Sequence, residues 1–86
     1  MPKYVIVQNP EGRESAIVLD NRIAHAEAFR APLKPVSAGF FTVLHDAVST
    51  VPGLGSMSLN LNPRPVDAEI IRRALFIEAE IAGRAA

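Results

Sequence analysis

The chain has 86 residues, nine basic and nine acidic side chains, a formal net charge of zero and no cysteine. This length predicts a single small domain over residues 1–86. The absence of cysteine excludes disulfides and thiolate metal sites, and two histidines cannot hold zinc without carboxylate help. The balanced charge argues against a dedicated nucleic-acid binder, whose affinity depends mainly on phosphate contacts.

The N-terminal segment contains only four consecutive apolar residues, at positions 4–7. Such a run is too short for a signal-peptide core or a membrane span. Together with the lack of cysteine, this favours a cytoplasmic protein. We expect no cofactor and no membrane contact. Because the chain is small and carries no net charge that would keep copies apart, self-association is the expected source of extra stability.

The first predicted element is a β-hairpin. Residues 4–8 are rich in β-branched and aromatic side chains, which favour a strand, and residues 14–19 form the returning strand. Pro10 and Gly12 lie between them and are typical of a turn, because proline presets φ and glycine readily adopts positive φ.

A short helix is predicted over residues 24–31, where the alanines supply helical propensity. Either Asn21 or His25 would cap this helix. Pro32 and Pro35 would end it, because proline lacks the backbone N–H that a helix interior requires.

Two further strands follow. Residues 36–44 are largely apolar on both faces, which is typical of a central strand, and residues 45–54 are predicted to form a loop. Residues 56–61 alternate between apolar side chains and serine or asparagine. They predict a half-buried strand that pairs antiparallel with the preceding one.

The last predicted element is a helix over residues 65–82. At 100° per residue, its apolar stripe would lie on the sheet; it consists of Ile70, Ala74, Ile77 and Ile81. Phe76 falls on the opposite, polar side. An exposed phenylalanine forgoes about 1.5–3 kcal/mol of burial, so Phe76 is either one of the isolated apolar residues that most surfaces carry or a contact with a partner.

Together these elements predict an α+β fold in the order β-β-α-β-β-α. A four-stranded, mainly antiparallel sheet carries the C-terminal helix on one face. The first two strands and the last two strands are expected to pair as hairpins, and the strand order is left open.

Three short patterns contain residue types used in known chemistry. His25 and Glu27 form an H-x-E pair, but two-residue spacing on a helix turns the side chains apart, so His25 is expected to be a cap or a surface residue. His45 and Asp46 lack an oxyanion-hole turn and are expected to be solvated loop residues. Residues 53–56 resemble a phosphate loop but precede a strand, so a flexible turn is expected. An enzyme using either histidine would need a pocket that joins it to a second polar group.

Arg64, Arg72 and Arg73 would form a small basic patch near the start of the last helix. A small nucleic-acid-binding accessory or regulatory protein using this patch is the alternative functional hypothesis. Asp67 and Glu69 lie between these arginines and would repel phosphate, so the simpler explanation is a mixed, solvated helix face.

Four short segments resemble a group of small uncharacterised bacterial proteins, some of them prophage-associated. These segments are residues 25–27, 35–40, 58–61 and 64–71, and the similarity covers most of the chain. The resemblance implies a phage-linked or accessory role. No activity comes with that group, so it implies no catalytic residue.

The leading functional hypothesis is a non-enzymatic protein-interaction module that forms a homodimer. Its contact surface would lie at the end of the last helix and contain Phe76, Ile77 and Ile81. These side chains would overhang the sheet, where apolar groups need a partner to be buried.

Overall fold

A computed structural model describes residues 1–78 of the protein. It contains a four-stranded antiparallel sheet with the strand order β2-β1-β3-β4. The strands are β1 (Lys3–Gln8), β2 (Glu14–Leu19), β3 (Lys34–Leu44) and β4 (Ala47–Thr50), and the helix α1 (Asp67–Arg72) packs against them. The predicted α+β fold, with two hairpins and a C-terminal helix on the sheet, is therefore confirmed.

The first strand, β1, lies between β2 and β3 and is antiparallel to both. Four consecutive side chains of β1 are buried, because the sheet is covered on both faces. On the face that carries α1, the buried core consists of Tyr4, Ile6, Phe41 and Ile71. On the other face it consists of Val5, Val7, Leu19 and Ala38, with loop residues packed over them.

The predicted helix over residues 24–31 is wrong in extent. Only a three-residue 3₁₀ helix, His25–Glu27, forms there, and Ala24 precedes it without a side-chain cap. An isolated helix of eight residues is marginal in water even with good propensity. Here the chain instead turns His25 inward, where the ring is buried against Phe40.

The fourth strand is β4, which lies in the predicted loop, and the predicted strand over residues 56–61 is wrong. Those residues form a turn closed by reciprocal backbone hydrogen bonds between Ser56 and Leu61. The Ser56 hydroxyl accepts the Leu59 N–H at 3.2 Å, and Asn60 adopts a φ of 55°. Serine and asparagine side chains favour such local alternatives to a sheet ladder.

The predicted helix over residues 65–82 begins later and changes type. The α-helical part covers Asp67–Arg72, and Arg73–Glu78 form a π-helix; residues 79–82 of the predicted helix lie outside the described part. A π-helix is wider than an α-helix, so a wheel drawn at 100° per residue loses its register there. Within residues 1–78, no helix is both long enough and apolar enough to cross a membrane.

Candidate functional site

A buried polar network ties the start of α1 to the sheet. Asp67 is fully buried, and its carboxylate accepts the Tyr4 hydroxyl and the Ser37 hydroxyl, both at 2.8 Å. It also accepts the Arg64 backbone N–H at 2.8 Å and the Arg64 Nε at 3.1 Å. The bond to the backbone three residues earlier resembles the acidic half of a capping box. One carboxylate therefore fixes the helix start against two neighbouring strands.

The network reaches the surface through Arg64. Its guanidinium binds both carboxylate oxygens of Glu14 in β2, at 2.7 and 3.3 Å. These hydrogen bonds hold the pKa of Glu14 below its ordinary value and raise the pKa of Arg64. Two carboxylates thus surround the one guanidinium and offset its positive charge.

This network has a structural role. Within residues 1–78, every buried side-chain nitrogen or oxygen has a hydrogen-bond partner, and the hydrogen bonds of Asp67 join α1 to β1 and β3. The network was not predicted from the sequence, where Asp67 was expected only as an acidic residue of a mixed, solvated helix face. A signal was present: Tyr4 and Ser37 lie in otherwise apolar strands, and a buried hydroxyl needs a partner.

The network predicts that the protein loses stability at alkaline pH. Burial raises the pKa of Tyr4, and the hydrogen bond to Asp67 and the charge of Asp67 raise it further. The unfolded chain loses this proton near pH ~10, whereas the folded protein keeps it. The ionisation of Tyr4 therefore adds no pH dependence to the free energy of unfolding below that pH, and above it the free energy should fall by about 1.4 kcal/mol per pH unit.

Tyr4 is the one tyrosine in the chain, and there is no tryptophan, so the ultraviolet absorbance of tyrosinate reports Tyr4 alone. Urea unfolding at a series of alkaline pH values should show the fall of the free energy of unfolding with pH. Tyr4→Phe should remove the part of this fall that comes from the ionisation of Tyr4. A folded protein whose tyrosine ionises near pH ~10 would contradict the prediction.

The second feature is an open groove of about 610 Å³ on the face opposite α1. Lys3 and Phe40 lie directly opposite each other in the β1–β3 ladder, so their side chains project from the same face. These two side chains line the groove together with His25 and residues of the turn at 53–62.

Two glycines allow close backbone packing at the groove turn, Gly39 between the turn and the sheet and Gly55 within the turn itself. A Cβ on Gly39 in β3 would lie 2.7 Å from the Leu54 carbonyl oxygen, and a Cβ on Gly55 would overlap the Leu61 carbonyl oxygen. Neither position tolerates a side chain without a shift of the backbone. In the predicted phosphate-loop fragment, Gly55 therefore serves close packing, whereas Gly53 has open space around it and adopts a φ of 77°.

The rim of the groove carries accessible apolar side chains. Met57 is 99% exposed and Leu54 is 43% exposed, although both belong to a turn that is pinned at its base. Leu61 is half-buried beside them. Methionine is common on surfaces that accept varied partners, because its side chain is flexible and polarizable.

The structure brings His25 into this groove and corrects the prediction that it is a cap or surface residue. His25 is buried, and its Nε2 lies 3.0 Å from the Gly39 carbonyl oxygen. A carbonyl only accepts, so Nε2 carries the hydrogen in this bond. Glu27 is exposed. His45 and Asp46 form the exposed two-residue turn between β3 and β4, as predicted for solvated loop residues.

The predicted basic patch is not assembled as a free surface. Arg64 is occupied by Glu14 and Asp67, and Arg72 lies 3.9 Å from Glu69. Arg73 is exposed. The three arginines therefore do not present three free charges to a phosphate backbone.

The predicted interface residues are placed differently from the helical wheel. Phe76 is half-buried and not fully exposed, whereas Ile77 is 39% exposed. The change from α-helix to π-helix at Arg73 shifts the register, which accounts for the burial of Phe76 and the exposure of Ile77. Ile81 lies outside the described residues, so self-association through this region stays a prediction.

Comparisons of the chain with protein-family models, with curated proteins and with solved structures found no match.

Proposed function

We propose that the protein is a non-enzymatic interaction module that binds an apolar segment of another protein in the groove. The observation that carries the proposal is the pair of exposed apolar side chains, Leu54 and Met57, at the rim of an open cavity. Its volume lies within the range of roughly 300–1,000 Å³ that is typical of binding sites. We place this function in the cytoplasm, in keeping with the cysteine-free composition.

The construction of the groove supports binding of a partner. Its turn is held by the Ser56–Leu61 hydrogen bonds and by close backbone packing at Gly39 and Gly55. A turn fixed in this way loses little conformational freedom on binding, which favours affinity. The exposed side chains lie on a fixed backbone and can adapt to a partner by changing rotamer.

Catalysis in the groove is less well supported. The Nε2 of His25 hydrogen-bonds to the Gly39 carbonyl oxygen, and within residues 1–78 no serine hydroxyl hydrogen-bonds to His25. A nucleophile with its base needs such a contact. The Ser56 hydroxyl instead accepts the Leu59 N–H and contacts Ser58 at 3.2 Å.

Selection of peptides tests the proposal. Random peptides would be displayed in two libraries, one with free carboxyl ends and one within a scaffold loop, and selected on the native protein. We expect peptides with at least one large apolar residue. Their affinity, measured by titration calorimetry, should fall at least tenfold for the double variant Leu54→Asp, Met57→Asp, because the apolar contact is replaced by a charge that must be desolvated.

Leu44→Asp is the matched control. Leu44 is 73% exposed in the β3–β4 hairpin and does not line the groove, so the same chemical change there should leave affinity unaltered. The proposal fails if neither library yields a binder, or if the binders tolerate the change at Leu54 and Met57 as well as the change at Leu44.

A further inference from the structure

Building on the proposed binding function, we infer that the groove recognises the free carboxyl end of a partner polypeptide whose last residue is apolar. The apolar side chain lies between Phe40 and the rim residues Leu54 and Met57. The terminal carboxylate pairs with the Lys3 ammonium. This assigns the groove a ligand class and an orientation.

The charge of the groove carries the inference. Among the described residues that line it, Lys3 is the one with a formal charge at neutral pH. The other polar groups at the rim are neutral, and Ser58, Asn60 and Asn62 are exposed there. An anionic group is thus complementary to the groove, and these hydroxyl and amide groups can donate to it.

Lys3 has the capacity to bind an anion. Its Nζ donates one hydrogen bond, to the Ile23 carbonyl oxygen at 3.1 Å, and an ammonium group has three donors. Within residues 1–78, Lys3 forms no salt bridge. The nearby Asp20 is held by Arg22, which contacts it with its backbone N–H and its guanidinium.

The hydrogen bond to Ile23 also orients the ammonium group. It anchors Lys3, at the start of β1, to the segment that leads into the 3₁₀ helix and His25. Because the side chain is already held in one direction, a carboxylate that pairs with it gains a bond without ordering a free lysine. Recognition of terminal carboxylates by donors at fixed positions is an established mode of peptide binding.

The test uses one peptide in two forms. An acetylated hexapeptide ending in leucine would be titrated into the full-length protein, once with a free carboxylate and once amidated. We expect the free form to bind at least tenfold more tightly, because a charge-assisted hydrogen bond is lost on amidation. Lys3→Met should remove the difference between the two forms, Lys3→Arg should preserve it, and Lys34→Met, at an exposed lysine outside the groove, should not change it.

Equal binding of the two forms, with both still weakened by Met57→Asp, would overturn the carboxylate assignment and leave the proposed groove function standing. Binding of neither form would also overturn it, whereas groove function itself is judged by the two peptide libraries. A third titration with decanoate tests for a small-molecule ligand: if decanoate binds through Lys3 and the peptide does not, the polypeptide assignment is wrong.

Discussion

Replacing Asp67 with alanine should destabilise the protein by about 3–5 kcal/mol, the usual effect of removing one partner from a buried charged pair. The carboxylate accepts four hydrogen bonds and is fully buried. Its removal leaves the Tyr4 and Ser37 hydroxyls without an acceptor and the Arg64 guanidinium with one carboxylate instead of two. Each unsatisfied buried donor costs about 1–3 kcal/mol.

A domain of this size has a free energy of unfolding of about 4–13 kcal/mol in total, so the loss expected for Asp67→Ala is a large part of it. Urea unfolding followed by circular dichroism measures the loss. Asp67→Asn keeps the shape and one acceptor oxygen, so it should fall between the native protein and Asp67→Ala. This keeps the prediction testable if the alanine variant does not fold.

Glu69→Ala is the matched control for Asp67, because it removes a carboxylate from the same helix at an exposed position. Glu69 contacts Arg72 at 3.9 Å on the surface, and such pairs contribute little. Its effect should stay within about 0.5 kcal/mol. Similar losses at Asp67 and Glu69 would show that the buried network does not hold the helix to the sheet.

The first three strands of the sheet could be predicted from the sequence, because they carry strong local signals, whereas β4 lies in a segment predicted as a loop. The first two strands differ from the prediction by one residue at most, with Pro10 and Gly12 marking their turn. The third strand has apolar residues on both faces, and its predicted central character follows from that pattern. What the pattern does not contain is the strand order, since β1 pairs with both β2 and β3.

The groove could not be predicted, because its turn has a strand-like pattern. Residues 56–61 alternate as a half-buried strand does, yet hydrogen bonds from the Ser56 side chain and the positive φ of Asn60 close them into a turn. Alternation reports which side chains prefer burial, and not whether the backbone finds a neighbouring strand. Here Met57, one of the apolar side chains in that alternation, is 99% exposed.

The polar network could be predicted in part. The hydroxyls of Tyr4 and Ser37 in apolar strands indicate that buried acceptors are needed, and Asp67 follows Pro65 at a helix start. Nothing in the linear sequence indicates that Arg64 also reaches Glu14, fifty positions away. That contact depends on which edge of the sheet the last loop crosses, and this is a property of the strand order.

The same helix provides the second large prediction, which distinguishes the observed packing from the predicted stripe. Ile71 is fully buried in the core with Tyr4, Ile6 and Phe41, whereas Ile77, a member of the predicted stripe, is 39% exposed. Ile71→Ala should therefore destabilise the protein by about 2–5 kcal/mol, the range for large-to-small changes in a packed core. Ile77→Ala, an identical chemical change six residues later, should stay within about 0.5 kcal/mol.

Urea unfolding of both variants at two protein concentrations separates the outcomes. Equal losses at Ile71 and Ile77 would mean that the helix keeps α-helical register past Arg73 and lays the whole stripe on the sheet. A loss at Ile77 that depends on protein concentration would instead identify it as a contact between copies, since the stability of an oligomer depends on concentration. A large effect at Ile71 alone would show that the last helix docks on the sheet through α1, and not through the π-helical segment that contains Ile77.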